Sequence, residues 1–133
     1  MKKFILLFSI MFLLPIVVNA ESDTVKLSKC VDGDTARFII AGKEYSTRFL
    51  AIDTPETKHP KKKVEPYGKE ASNYTCNSLE NAKKIVLEYD KNSTKEDKYG
   101  RRLAWVFVDG ELLQEKLVKK GYAKVAYLYG DYK

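Results

Sequence analysis

The sequence predicts an α+β fold, a small barrel of five strands with two helices packed outside it. Three observations predict it. Short apolar or alternating runs are separated by turn signals, which is the pattern of strands in a meander. Twice the apolar spacing changes to that of a helix, once mid-chain and once near the end. Finally, 133 residues with 44% hydrophobic and 32% charged side chains suit one compact domain and exclude a disordered chain.

Thr24–Val31 alternates, with Val25, Leu27 and Cys30 expected inward, and Asp32-Gly33-Asp34 signals a turn. Ala36–Ala41 is a second apolar run, Gly42-Lys43 a tight turn, and Glu44–Ile52 a third strand carrying Tyr45, Phe49, Leu50 and Ile52. Thr54–Pro66 holds Pro55, Pro60 and Pro66 around a lysine block, which forbids a helix and predicts a long exposed loop of the kind that carries function. Tyr67, Ala71, Tyr74, Leu79 and Ala82 then fall on one helical face. Ile85–Tyr89 returns to strand, Asp90–Lys98 is a polar loop, and Leu103–Val108 is a strand ending in the Asp109-Gly110 turn. Leu112, Leu113, Leu117 and Val118 form a short amphipathic helix, with Lys119 and Lys120 at its negative end and Gly121 as its stop. Ala123–Tyr129 is again extended. Five strands, with helices after the third and the fifth, fit an OB-like barrel. Such barrels bind oligonucleotides readily, but the fold does not fix a function.

Residues 1–20 read as a signal peptide preceding a single domain over 21–133. Lys2 and Lys3 precede an apolar run from Phe4 to Val18, and Val18-Asn19-Ala20 offers a small-residue cleavage site. The run contains Pro15 and is short for a membrane span of roughly 20 residues. The expectation is a secreted, extracellular protein with no stable membrane association, or an anchored one if the leader is retained. Both Cys30 and Cys76 survive cleavage, and the cell exterior permits oxidation. A bridge between them would contribute roughly 3–4 kcal/mol; two buried free thiols are the alternative.

With 24 Lys+Arg against 18 Asp+Glu the net charge is +6, and nine tyrosines accompany it. This composition suits an anionic, stackable partner, and equally a solvated basic surface. A lone histidine, His59, and two cysteines exclude zinc fingers and zinc-protease helices. Phosphate-cradling glycine loops and nucleophile elbows are likewise missing from the sequence. Asp34 follows a turn and Asp53 ends a strand, so a meander can bring both carboxylates to one rim. Pro55 holds Thr54 extended and lets the chain curl so that Glu56 approaches them. Carboxylates without imidazole or thiolate select a hard cation, calcium above all outside the cell. Glu56 is the candidate general base for activating water. Arg48 and Arg101 present guanidinium forks that match phosphoryl oxygens, although Arg48 could instead pair with a neighbouring carboxylate. Arg102, next along its strand, faces the other way from Arg101.

The segments Asp32-Gly33-Asp34-Thr35, Arg48 with Asp53-Thr54-Pro55-Glu56-Thr57, and Asp97-Lys98-Tyr99-Gly100-Arg101 occur together. So do Tyr67-Gly68 with Glu70-Ala71-Ser72, Asn81–Ile85 and Ala123–Tyr127. From about Val25 to Tyr129 the chain resembles the staphylococcal nuclease (thermonuclease) family. That resemblance implies one Ca²⁺ ion held by Asp34, Asp53 and the backbone carbonyl of Thr54. It implies Glu56 as the water-activating base, and Arg48 and Arg101 as stabilisers of the transition state. It also places Lys62, Lys98, Tyr99 and Tyr127 at nucleotide phosphates and Tyr129 near a base. Tyr127 and Tyr129 would share one side of an extended chain; Tyr45, Tyr67, Tyr74, Tyr89 and Tyr122 are expected to pack. Family members continue past the position of Tyr129 into a further helix, so this chain is expected to be short at its C-terminus. The function implied is a monomeric, Ca²⁺-dependent nuclease hydrolysing DNA and RNA, single-stranded or frayed, with little sequence preference. The alternative is an OB-like module that holds single-stranded nucleic acid without cutting it. A structural Ca²⁺-binding domain is a third reading, which leaves the arginines idle.

Overall fold

A computed structural model describes residues 21–57 and 65–128, so the leader, Lys62 and Tyr129 lie outside the described residues. The elements in chain order are β1 (Ser22–Asp32), β2 (Thr35–Ile40), β3 (Lys43–Phe49), β4 (Ile52–Asp53), α1 (Gly68–Glu80), β5 (Ile85–Glu88), β6 (Arg102–Val108), β7 (Glu111–Leu112), α2 (Leu113–Lys119) and β8 (Lys124–Val125). Strands β1, β2 and β3 form the antiparallel meander, and the other edge of β1 pairs with β5. β6 runs antiparallel to β5 and closes in parallel onto β3, with Thr47, Arg48 and Phe49 opposite Arg102, Leu103 and Ala104. The result is a closed five-stranded OB-like barrel with two helices, and closure leaves these five strands without an unpaired edge.

Local chemistry explains the connections. Ala41 and Gly42, at φ 49° and 82°, join β2 to β3, and Asp109 and Gly110, at 49° and 83°, join β6 to β7. Two left-handed residues in succession match the twist of a two-residue hairpin. The barrel interior is filled by Val25, Phe38, Phe49, Leu87 and Val106, closed at one end by Leu113 and Leu117 of α2. α1 turns Ala71, Thr75 and Leu79 inward, one stripe at four-residue spacing. The buried polar residue of α2, Gln114, is fully engaged: Val106 N–H donates to its Oε1, while its Nε2 donates to the carbonyls of Leu50 and Ala104. Those bonds lock α2 to the point where β3 ends.

Three expectations are corrected. The third strand does not run from Glu44 to Ile52: it ends at Phe49, and Ala51 takes φ 64° before β4 resumes. Tyr67 does not pack but is 65% exposed, at φ 65°, immediately before α1. The last extended segment is reduced to Lys124–Val125, and Tyr127 sits at φ 56°, which removes the premise that it faces the same side as Tyr129. Of the other tyrosines, Tyr89 is buried and Tyr74 packs on Tyr122 with ring centroids 5.8 Å apart.

Cys30 and Cys76 are bridged, with sulfurs 2.03 Å apart across a sequence separation of 46, which replaces the free-thiol alternative. The bridge fastens α1 to the end of β1 that leads into the Asp32–Asp34 turn. Closing a loop of that length restricts the unfolded chain, so the Cys30→Ala/Cys76→Ala variant should lose about 3–4 kcal/mol of unfolding free energy. A denaturant titration of both proteins measures it; an unchanged midpoint would mean that the helix is held by packing alone.

Candidate active site

The site starts at the turn between β1 and β2. A Cβ on Gly33 would lie 2.7 Å from Thr54 Oγ1 and 2.9 Å from Thr54 Cβ and Cγ2, so only glycine lets this turn press against Thr54. The Thr75 hydroxyl of α1 donates to the Gly33 carbonyl at 2.6 Å. Held in this way, Asp34 receives the Thr54 N–H at 3.0 Å on one carboxylate oxygen and the Thr35 hydroxyl at 2.9 Å on the other.

The end of β3 supplies the opposite wall. Phe49 N–H donates to the Asp34 carbonyl, Leu50 N–H donates to that of Ala104, and Ala51 turns the chain back into β4, which pairs with β8. Arg48 fills the inside of this bend, its Nη1 donating to the carbonyls of Phe49 and Ile52 at 2.9 Å each. Its Nη2 lies 3.3 Å from Asp34 Oδ2 and 3.5 Å from Asp53 Oδ1. One guanidinium nitrogen is therefore countercharge to both carboxylates, so the pairing weighed for Arg48 on sequence is present. The Asp53 carboxyl is nonetheless raised above its usual range, by burial first and then by the charge of Asp34. Arg48 and Lys124 oppose this without cancelling it.

Arg101 comes from the loop before β6. Asp97 accepts the backbone N–H groups of Tyr99 and Arg101 on one oxygen, and on the other the Arg101 Nε at 2.7 Å. Burial raises the Asp97 carboxyl, but those donors outweigh it and hold it below its usual range. The aspartate thus shapes the loop and aims the outer edge of the guanidinium. Arg101 and Lys98 both lie over the ring of the exposed Tyr99. Arg102, the first residue of β6, points elsewhere, between Tyr45 and Glu96.

Arg48, Arg101, Lys98, Tyr99 and Tyr127 all line one open cleft of about 340 Å³. Tyr127 is 56% exposed, with Arg48 5.8 Å from its ring centroid. Asp34, Asp53 and Glu56 do not line that cleft: the two aspartates contact its Arg48, and Asp53 and Thr54 line a second opening with Pro55, Glu65 and Lys124. Glu56 stands on the carboxylate side, where it and Asp34 help to raise the carboxyl of Asp32 after burial, the largest cause. Sequence reasoning missed two acids. Asp97 had a legible signal, four residues before Arg101 and directly ahead of a Tyr-Gly turn. Asp32 was read only as part of a turn.

The donor chemistry fits a hard cation. Asp34 and Asp53 offer only oxygen and share a single countercharge, and the buried Thr54 Oγ1 beside them has no hydrogen-bond partner among the described residues. The tightest group of three potential ligands among the described residues, Cys30, Cys76 and Glu80, is no rival, because its two sulfurs are bonded to each other.

Comparison with known sequences decides the family. Residues 46–133 match the family described as "Staphylococcal nuclease homologue". The chain belongs to the staphylococcal nuclease family. It is 50% identical over 105 residues to Endonuclease YncB of Bacillus subtilis (strain 168), covering 79% of this chain and 49% of that protein. It is equally identical over 105 residues to the SPbeta prophage-derived endonuclease YokF of the same organism, 79% of this chain and 35% of that one. It is 44% identical over 115 residues to Thermonuclease of Staphylococcus hyicus, 86% of this chain and 66% of the relative. The chain therefore spans about half the length of the first of these relatives and less of the second. The family match takes in Arg48, Asp53, Thr54, Glu56 and Arg101. Asp34 precedes it and joins the nuclease-like segment through the Thr54 N–H.

Because Asp53 titrates higher in the folded chain than in the unfolded one, its ionisation opposes folding. The penalty is complete above the folded value and disappears as pH falls below about 3.8. Asp53→Asn should therefore melt above the parent near neutral pH in chelator, with the gap closing on acidification. Thermal denaturation across pH measures it, and a variant that melts lower at neutral pH would refute the assignment.

Proposed function

We propose that this protein is an exported nuclease that uses Ca²⁺ to hydrolyse phosphodiester bonds of DNA and RNA. The observation that carries the proposal is the convergence of Asp34 and Asp53 on Arg48, with Arg48 and Arg101 lining one cleft beside exposed tyrosines. The names of the relatives, endonuclease and thermonuclease, support the same reading. Export rests on the basic, apolar and small-residue pattern of residues 1–20, and the Cys30–Cys76 bridge agrees with an oxidising exterior. Among the described residues no helix is long and apolar enough to cross a membrane.

Asp34, Asp53 and the Thr54 carbonyl would hold the ion. When bound, a hard divalent cation draws charge from a phosphate oxygen and neutralises the clustered carboxylates. Glu56 takes the proton of a water whose oxygen forms the new bond to phosphorus. The ester P–O bond then breaks, and its electron pair leaves with the alcohol oxygen, which is protonated in turn. Negative charge gathers on the non-bridging oxygens, and there the forks of Arg48 and Arg101 act. Arg48 is pre-anchored by two carbonyls, which fixes its plane before substrate arrives. Tyr99 and Tyr127, joined by Lys98 and by Lys62 and Tyr129 outside the described residues, would grip the flanking nucleotides. Stacking contributes about 1–3 kcal/mol per base whatever the base, so sequence preference should be weak and frayed or single strands preferred.

With denatured DNA, cleavage should require Ca²⁺ and stop on adding chelator. Glu56→Gln and Arg101→Ala should each lower the rate by about 10²–10³-fold while melting as the parent does. Retention of intact, salt-sensitive DNA without fragments would instead identify a binding module. Ca²⁺ should also raise the melting temperature of the parent and not that of Asp53→Asn; equal shifts would remove Asp53 from the ion site.

A further inference from the structure

We infer that Asp32 and Thr57 form a clasp that positions Glu56, and that the Thr57 hydroxyl in this clasp sets the turnover rate independently of metal and substrate affinity. The inference rests on Glu56 being the base. Glu56 lies on an irregular segment, Pro55–Thr57, between β4 and α1, with no ladder of its own to fix it. Three contacts take the place of a ladder. The Asp32 carboxylate, at the end of β1, receives the Thr57 hydroxyl at 3.0 Å and the Gly33 N–H at 2.8 Å on the same oxygen. The segment after Glu56 is thus tied to the turn that carries Asp34. On its other side the segment rests on Gly68, where a Cβ would stand 2.8 Å from Thr57 Cγ2, 3.1 Å from the Glu56 carbonyl and 3.3 Å from that of Pro55. The base of the loop is closed by Glu65 N–H donating to the Glu56 carbonyl at 2.9 Å.

The clasp has a directional logic. Asp34 is bonded to the residue that precedes Pro55, through the Thr54 N–H, and Asp32 to the residue that follows Glu56, through the Thr57 hydroxyl. Two aspartates of one turn therefore bracket the base, leaving little freedom for its backbone. A catalytic group must sit within a few tenths of an ångström of its productive place, and its supporting hydrogen bonds hold it there. Thr57 is not among the residues that line the cleft, and its hydroxyl is spent on Asp32, which makes it a positioning residue; Asp32 also feels the charges of Asp34 and Glu56, so the Thr57 side of the clasp is the one that separates positioning from metal binding.

Thr57→Val keeps the shape of the side chain and its contact with Gly68 but deletes the donor. It should lower kcat about 10–100-fold while KM for denatured DNA and the Ca²⁺ midpoint stay within about twofold of the parent. Thr57→Ser, which keeps the hydroxyl, should restore kcat to within about threefold, and Asp32→Asn, which keeps the acceptor oxygen, should do the same. Asp32→Ala also loses the Gly33 N–H bond, so combining it with Thr57→Val should be no slower than Asp32→Ala alone, as expected of two halves of one interaction. Melting curves of each variant accompany the kinetics, and the serine and asparagine variants keep the test open if the others fold poorly. A parental kcat in Thr57→Val, a fall in Ca²⁺ affinity for Thr57→Val, or additive losses in the double variant would each overturn the clasp. Glu56→Gln is measured alongside. If it is slow while Thr57→Val is not, the clasp fails and the base assignment stands; if Glu56→Gln cleaves at the parental rate, the base assignment itself is wrong.

Discussion

The close approach of the Asp32–Asp34 turn to Thr54 is the constraint from which the site follows. These residues are far apart in sequence and meet only because Gly33 has no side chain to keep them apart. Three bonds then make the contact rigid: Thr54 N–H to Asp34, the Thr75 hydroxyl to Gly33, and Phe49 N–H to the Asp34 carbonyl. Any larger residue at position 33 would push the turn away from β4. It would then separate two carboxylates whose usefulness depends on sharing one place.

Bringing those acids together is electrostatically unfavourable, and the fold answers it locally. Arg48 supplies one positive charge between two negative ones, and its Nη1 donates to the carbonyls exposed where β3 breaks. The same break that creates orphan carbonyls thus supplies the anchor for the cation that faces them. Asp53 still carries a raised carboxyl, through burial first and the charge of Asp34 second, a penalty that a divalent ion would relieve. Stability comes from elsewhere, from the closed barrel core and from the Cys30–Cys76 bridge behind the turn. On the arginine side the arrangement is repeated on a smaller scale, with Asp97 both shaping the loop and orienting Arg101.

Most of the barrel was legible because each strand buries one face and each turn has its own chemistry. Val25, Phe38, Leu87 and Val106 alternate with less buried neighbours, and Asp109-Gly110 is a turn pair by composition, whereas the turn expected at Gly42-Lys43 lies one residue earlier, at Ala41-Gly42, because Lys43 already pairs in β3. The break after Phe49 was not legible, since Phe49, Leu50 and Ile52 read as a continuous run. All three are buried, but on either side of a left-handed Ala51 that only the surrounding bonds require. Tyr67 was misjudged for the same reason, and the extended backbone expected at Tyr127 fails too: both are left-handed, where side-chain direction inferred from helix or strand period does not hold. Asp32 looked like one more polar turn residue until Thr57 was found against it.

By itself the sequence determined the five barrel strands and both helices, the candidate acids and arginines, and the spacing of the cysteines, because those depend on residue type and short-range periodicity; the short strands β4 and β7 were not read. Only the tertiary structure decided that the cysteines bond, that Arg48 stands between Asp34 and Asp53, and that Asp32 grips Thr57. Each of these joins segments distant along the chain, and such distances close only when the barrel does.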